Sequence, residues 1–398
     1  MPNVNEHYEL RQDLASSARA LQKAGYDLID LNVGNPGAFG FRVPEAMRLA
    51  LIENLQHSDG YCEPAGIFPA REAVAVQQQE RQVAGVTADQ VMIGTGVSEL
   101  IDLTLRALID TGDEILIPRP DYPLWTAAVE LNGGVAMYYD CLPENGYLPD
   151  PEQIAELITP NTRGIVLINP NNPTGAVYPE SLLRSIVAVA EEHGLILFSD
   201  EIYDGIVYGG AEFTPLAPLV NDTMCLTFGG VSKVYRAAGY RVGWLVWSGD
   251  IAPHERYLKT IGMLASLRLC SNVPAQWTVQ SALGGTQSIG TLTGPGGRLY
   301  ESREVVLEAI AKSPYYQLEA PNGAIYAFIN VADEFGPFND EDFARHTLQT
   351  QHILITPGSA FSLQESRSFR ITFLPEARTM ETVMTRLSDS LQSYRESL

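Results

Sequence analysis

Apolar positions along this chain fall into two patterns. Between residues 91 and 230, short near-continuous apolar runs (VMIG, EILIP, GIVLINP, LILFSD, CLTFG) read as strands covered on both faces. Polar loops and helical spacing separate them. LIDLTLRALID follows the first run, a helix follows PRPDYPLW, and residues 179–193 form another. Strand–loop–helix alternation of this kind predicts a mainly parallel sheet flanked by helices.

The flanks differ. Leu10, Leu14, Ala18 and Leu21 recur at helical spacing within residues 1–25. A short strand is expected over 27–33, a loop over GNPGAFGF, and a helix over 44–56 with Pro44 at its first position. Beyond residue 252 comes a helical stretch carrying LASLRLCSNVPAQWTVQSALGG, then a helix over 298–312. Strands are expected within 315–330 and 367–374, and a helix at the C-terminus. The expected architecture is α/β, with a large domain over 46–290. A smaller α+β domain over 291–398 is joined in space by an N-terminal segment, 1–45.

The chain has 398 residues, 45% of them hydrophobic, enough for two structural domains with sizeable cores. Its net charge is −22 and its pI about 4.6. That disfavours nucleic acid and anionic membranes as partners, so an anionic ligand requires a local cluster of arginines. Cys62, Cys141, Cys225 and Cys270 are scattered and form no CxxC pair, and the six histidines are dispersed. No metal is expected, and the cysteine usage suits a reducing compartment. The polar start MPNVNEHYELRQDL has no signal-peptide core, and no apolar run approaches a membrane span. A cytoplasmic protein is expected.

Every polar motif of note follows a strand, where open α/β sheets bind ligands. The central one is LTFGGVSKVYRAAGYRVGW, residues 226–244. Lys233 sits among small and apolar residues, where partial desolvation favours a neutral, nucleophilic amine. Arg241 offers a permanent charge suited to phosphate. A Schiff-base lysine beside a phosphate-binding arginine is what pyridoxal 5'-phosphate (PLP) requires. The plainer alternative is an exposed lysine in a turn.

The other motifs divide in the same way. GTGVSE, residues 94–99, joins a strand to a helix, a ready anion site, or an ordinary glycine turn with Ser98 near the cap. It lacks the third glycine and acidic partner of a dinucleotide site. Asn172 in NPNNPTG can donate to a ring hydroxyl, or mark a simple turn. Asp200 ends the run LILFS, where a carboxylate needs a partner such as a protonated pyridine nitrogen; alternatively it caps a short helix. Tyr203 can donate to a phenolate oxygen of the same ring. Arg370 alternates with Phe369, Ile371 and Phe373, suiting bidentate pairing with a carboxylate or a structural salt bridge. Tyr122 can stack on a ring or pack in a core.

Taken together, NVGNPG, YCEPAGIFPARE, GTGVSEL, PRPDYP, NPNNPTG, SDEIYD, GGVSKVYRAAGYRVGW, PNGAIYAF and FRITF resemble the class I aminotransferases of PLP fold type I, in the family's order and over nearly the whole chain. FGFRVPE, PDYPLWTAAV, LRLCSNVPAQ and PGGRLYE are similar to the bacterial glutamate–pyruvate (alanine) subgroup. Gly229, Thr95 and PGSAF at 357–361 depart from that subgroup's usual residues.

The resemblance implies a set of roles. Lys233 would be the Schiff-base lysine, and Asp200 would pair with the ring nitrogen. Asn172 and Tyr203 would contact the ring oxygen, and Tyr122 would stack on the ring. Gly96, Val97, Ser98, Ser232 and Arg241 would hold the phosphate. Tyr61 would reach the phosphate of a neighbouring subunit, making a homodimer with shared sites. Gly34 and Arg370 would hold the substrate α-carboxylate. It also makes the N-terminal segment a lid.

A site serving both alanine and glutamate needs a cation that can leave. Tyr8 and Arg11 share one face of the N-terminal helix and are expected over the distal carboxylate. Arg42 and Arg268 are the rival cations, and a solvated Arg11 is the bland alternative. The expected reaction is L-alanine plus 2-oxoglutarate giving pyruvate plus L-glutamate. A C–S β-lyase of the same fold, or a transaminase of other specificity, is the alternative. A cofactor-binding regulator is disfavoured by the acidic charge and the lack of a helix-turn-helix module.

Overall fold

The computed structural model describes residues 2–398, with side chains from residue 12 onward. Helix α1 (Pro2–Lys23) buries Leu14 and Ala18. The strand expected over 27–33 shrinks to β1 (Ile29–Asp30), which pairs in parallel with Ile353–Leu354. The cause is local. Asp30 accepts the Asn32 amide in an Asx turn (3.0 Å), which swings Asn32–Gly34 off the strand. A 3₁₀ turn, Pro36–Phe39, occupies the expected GNPGAFGF loop. Helix α2 (Glu45–Glu53) begins after Pro44, whose ψ of 135° keeps it outside as the cap. Helix α3 (Phe68–Glu80) follows the loop that carries Tyr61.

Seven strands form the large sheet: β2 (Val91–Gly94), β3 (Glu114–Arg119), β4 (Val135–Asp140), β5 (Thr162–Ile168), β6 (Ile196–Asp200), β7 (Met224–Gly230) and β8 (Gly243–Gly249). Their order is β2-β8-β7-β6-β5-β3-β4. The β3–β7 block is parallel, whereas β8 runs antiparallel to both its neighbours. The sequence reading missed β4 and β8. The lysine loop between β7 and β8 carries no crossover helix, so the chain returns antiparallel.

Alternation within the apolar runs feeds two cores. Ile115, Ile117, Val166, Ile168, Phe198, Leu226 and Phe228 face one core, with α4 (Val97–Leu108) and α5 (Pro123–Leu131) packed over it. Leu116, Ile165, Leu167, Leu197 and Cys225 face the other. A run with both faces covered shows no amphipathic alternation in sequence, although its side chains still alternate in space.

The helical stretch expected beyond residue 252 is broken. Glu255–Leu267 ends before Leu269, which takes a left-handed φ of 70°. Asn272 then caps a new short helix, Val273–Gln276, with Pro274 in its first turn. Beyond it, β9 (Tyr316–Gln317), β10 (Tyr326–Val331), β12 (Thr356–Pro357) and β13 (Ser368–Thr372) make a second sheet, ordered β12-β13-β10-β9. The Ile353–Leu354 strand, β11, holds β1 beside it. Helices Arg298–Lys312 and Ala377–Ser397 cover this part. Among the described residues no helix is long and apolar enough to cross a membrane.

Candidate active site

A cavity of about 540 Å³ opens at the C-terminal ends of β5, β6 and β7, between the two sheets. Lys233 enters it from the loop after β7. Its Nζ donates to the Gly34 carbonyl (2.6 Å), so the loop after β7 meets the N-terminal segment directly. Gly34 is there for space: a Cβ on it would overlap the Tyr326 hydroxyl.

Asp200 ends β6 at the cavity floor and is 2% exposed. Trp125 Nε1 donates to its Oδ2 (3.2 Å) and the Ile202 amide to its Oδ1 (3.3 Å). Burial pushes its carboxyl up to about 6, against those bonds and the Lys233 charge. A carboxylate this desolvated gains most from a cation presented by a ligand.

The far end of the cavity is built for an anion. Gly96, at φ 79°, caps α4, whose first residues Val97 and Ser98 line the cavity. Helix N-termini present unpaired amides and positive potential. Arg241 lies against Gly96, in a left-handed turn at φ 52°, and its Nη1 donates to the Ala238 carbonyl (3.0 Å). A Cβ at Gly96 would overlap the Arg241 guanidinium, and one at Gly243 would sit 2.6 Å from the Val97 nitrogen. Ser232 lines the same region.

The opposite wall comes from the second sheet. Arg370 on β13 is 6% exposed and lies between the rings of Tyr326 (4.2 Å) and Phe361 (4.9 Å). It donates from Nη1 to Asn172 Oδ1 (2.7 Å) and from Nη2 to the Asn32 carbonyl. With Oδ1 engaged, the Asn172 amide nitrogen is left as a donor. The hydroxyls of Tyr203 and Tyr326 meet at 3.0 Å. Burial opposes ionisation of both, but the Lys233 and Arg370 charges bring Tyr326 below its ordinary range while Tyr203 stays well above it.

The structure therefore gathers Gly34, Val97, Ser98, Tyr122, Asn172, Asp200, Tyr203, Ser232, Lys233, Arg241 and Arg370 around one cavity, with Gly96 against Arg241. Tyr61 is 81% exposed and is not among the lining residues of its own chain. Tyr8 and Arg11 lie outside the residues whose side chains are described. Of their rivals, Arg268 is engaged by Glu99 (2.9 Å) and the Ile93 carbonyl (3.1 Å). Among the described residues no group of His, Cys, Asp and Glu could hold a metal ion.

The sequence reading missed Asn32, Trp125, Tyr326 and Arg19 as parts of this site. The first three were visible in NVGNPG, PDYPLW and PNGAIYAF, but nothing local marks which residue of each points inward. Arg19 lines the cavity from α1, one helical face with Gln12 and Ala15.

These features fit a flat ring carrying a basic nitrogen at one edge and a phosphate at another. The nitrogen would face Asp200, the phosphate would face the α4 N-terminus and Arg241, and a ring hydroxyl would face Asn172 and Tyr203. PLP has these groups, and Lys233 stands within the same cavity.

Comparison with known proteins agrees. The chain is 43% identical over 393 residues to the glutamate-pyruvate aminotransferase AlaA of Escherichia coli (strain K12), covering 98% of this chain and 97% of that protein. A crystal structure of an aminotransferase from Escherichia coli superposes with a TM-score of 0.95 at 43% identity, covering 98% of this chain and 96% of that one. The alanine aminotransferase from Pyrococcus furiosus superposes at 0.92 with 33% identity, covering 97% of each chain. Residues 26–387 match the family described as aminotransferase class I and II, and the chain belongs to that family.

Proposed function

We propose that this enzyme transfers the amino group between L-alanine and 2-oxoglutarate, giving pyruvate and L-glutamate, with PLP as cofactor. The observation that carries the reading is the meeting of Lys233, Asp200 and Arg370 in one cavity. The names of the relatives above support the choice of substrates.

When bound, PLP supplies an aldehyde for the substrate amine and a ring that stabilises negative charge at the substrate Cα. Lys233 takes the Cα proton as base and carries it as acid. Asp200 holds positive charge at the ring nitrogen, and its burial strengthens that pairing. Asn172 and Tyr203 hold the ring oxygen, and Tyr122 covers the ring face. Gly96, Val97, Ser98, Ser232 and Arg241 anchor the phosphate. Arg370 and Gly34 hold the α-carboxylate, which orients the Cα–H bond. Tyr8 and Arg11 close over the distal carboxylate of glutamate.

The working form in this reading is a cytoplasmic homodimer. Leu49, Ile52, Leu55, Tyr61 and Phe68 are all exposed near α2 and the start of α3, an apolar face suited to a second copy. Tyr61 then serves the partner's phosphate site. Sedimentation giving a single-chain mass at micromolar protein would remove this part. The domain division is 1–45 with 291–398 as the small domain and 46–290 as the large one. Limited proteolysis that releases a fragment cut at other boundaries would count against it.

The central experiment is a half-reaction. The holoenzyme mixed with L-alanine alone should convert its cofactor to the amine form and release pyruvate stoichiometrically. Continuous pyruvate release from cysteine or cystine, with the aldehyde regenerated, would instead indicate the β-lyase. Borohydride reduction should label Lys233, and a label on another lysine would sink the assignment.

A further inference from the structure

Directly behind the cofactor-facing turn lies a charged cluster with no part in the roles above. Glu201 follows Asp200 in sequence and is itself 2% exposed. Asp204 follows Tyr203. Successive residues of an extended segment point to opposite sides, so while Asp200 faces the cavity, Glu201 faces away. There it accepts Ser199 Oγ (2.9 Å) and the Leu216 amide (3.1 Å) at Oε1.

One guanidinium serves both carboxylates. Arg81, at the C-cap of α3, reaches Glu201 Oε2 with Nη1 (3.4 Å) and Asp204 Oδ2 with Nη2. Tyr235, just beyond Lys233, faces the same Arg81–Asp204 pair. The Phe213 ring lies 5.7 Å from the guanidinium carbon. The backbone between the two carboxylates is a tight turn: the Asp204 amide donates to the Glu201 carbonyl (3.0 Å) and the Ile206 amide to the Tyr203 carbonyl (2.8 Å).

We propose that Arg81 is a positioning residue for the reaction: its two-armed grip on Glu201 and Asp204 fixes the turn from which Asp200 and Tyr203 reach the cofactor. The physical reason is the geometry of the fork. Guanidinium is planar and rigid, so holding two carboxylates sets their separation, which an ammonium cannot do. Both carboxylates flank cofactor-facing side chains, so an error in the turn is transmitted to both. Displacements near 1 Å at reacting groups can cost about 10²-fold in rate. Burial pushes the Glu201 carboxyl up to about 7 even with Arg81 beside it, so the ionised form depends on that guanidinium and on the Leu216 and Ser199 donors. This inference rests on the PLP reading but not on the choice of alanine.

The test uses the full-length holoenzyme. Arg81→Met alone leaves the buried Glu201 carboxylate without its cation, so the deciding variant is Arg81→Met with Glu201→Gln, which removes both charges of that pair. Three quantities are read: kcat and KM in turnover, circular dichroism of the bound PLP, and amide hydrogen exchange over 201–206 in protein never exposed to amino substrate. The expected result is a kcat lowered about 10–100-fold with KM within about 3-fold, a changed cofactor band, and faster exchange over 201–206. Parental kcat, band and exchange in the double variant would overturn the proposal. Arg81→Lys is the second variant, keeping charge without the fork. It should show the same changes to a smaller degree, and parental values in all three readouts would equally overturn it. The dichroism and exchange need no amino substrate, so failure to use alanine would leave them standing.

Discussion

The two walls of the cavity differ in how their residues are held. On the wall of the large sheet, Asp200, Lys233 and Ser98 sit at or just beyond the ends of neighbouring elements, each fixed by backbone it follows directly. On the other wall, Arg370 comes from β13 and Gly34 from beyond β1; Arg370 donates across to Asn172 of the first wall and, on its own side, to the Asn32 carbonyl. Each wall is ordered within itself by its own elements, Arg370 included, and the second is set against the first by a few polar contacts across the cavity. Chemistry that tolerates no displacement belongs on the first. Binding that must admit and release different acids belongs on the second.

Four changes would break or sharpen this contrast. The largest effect is expected at Lys233. In the proposed mechanism Lys233→Ala removes the group that moves the proton, so turnover should fall at least about 10⁴-fold, the upper range for positioned acid–base groups, while PLP still binds. Residual activity within tenfold of the parent would assign the proton to another residue.

Next is Asp200. Asp200→Asn should lower kcat about 10²–10³-fold with a smaller effect on PLP binding, as for other preorganised charges. A near-normal kcat would refute its role. The same residue gives a pH signature in cofactor-free protein. Its folded carboxyl titrates at about 6, above the ordinary 3.8. The raised value means that its contribution is fully present below about pH 4 and is lost as pH rises through about 6. The shift corresponds to on the order of 3 kcal/mol. Thermal melts at pH 4 and pH 7 should show Asp200→Asn gaining on the parent as pH rises. No relative change would mean that the carboxyl is not desolvated.

The second wall should respond more gently and through binding. Arg370→Lys keeps the charge but loses the fork, and kcat/KM should fall about 10²-fold for alanine and glutamate alike. A loss restricted to one substrate would move the α-carboxylate site elsewhere. The smallest and most selective change is Arg11→Ala. It should weaken kcat/KM for glutamate by about 1.5–3 kcal/mol, the scale of a charge-assisted hydrogen bond, with alanine changing much less. Equal losses would make Arg11 structural, and a glutamate-specific loss confined to Arg19→Ala would hand the role to the arginine on the cavity wall.

Sequence patterning by itself determined a good deal. Continuous apolar runs followed by polar loops identified β2, β3, β5, β6 and β7, because strands covered on both faces admit few polar residues. The motifs after those runs supplied most residues of the first wall. Patterning failed where the determinant was not local. β4 begins exposed at Val135 and so does not read as a buried run, while the apolar run of β8 follows the lysine loop with no helix between to mark it as a separate strand. The helix expected through Leu269 breaks because its backbone turns left-handed there, which an apolar side chain does not announce.

What only the tertiary structure decided is which distant residues meet. Nothing near Gly34 in sequence says that its carbonyl receives Lys233, nor that its missing Cβ makes room for Tyr326. The same holds for Trp125 beneath Asp200, and for Arg81 behind it. A local pattern encodes period and turn chemistry, which depend on neighbours in the chain. Contacts of long sequence separation depend on how two sheets and their cores pack, and that information is spread over the whole molecule.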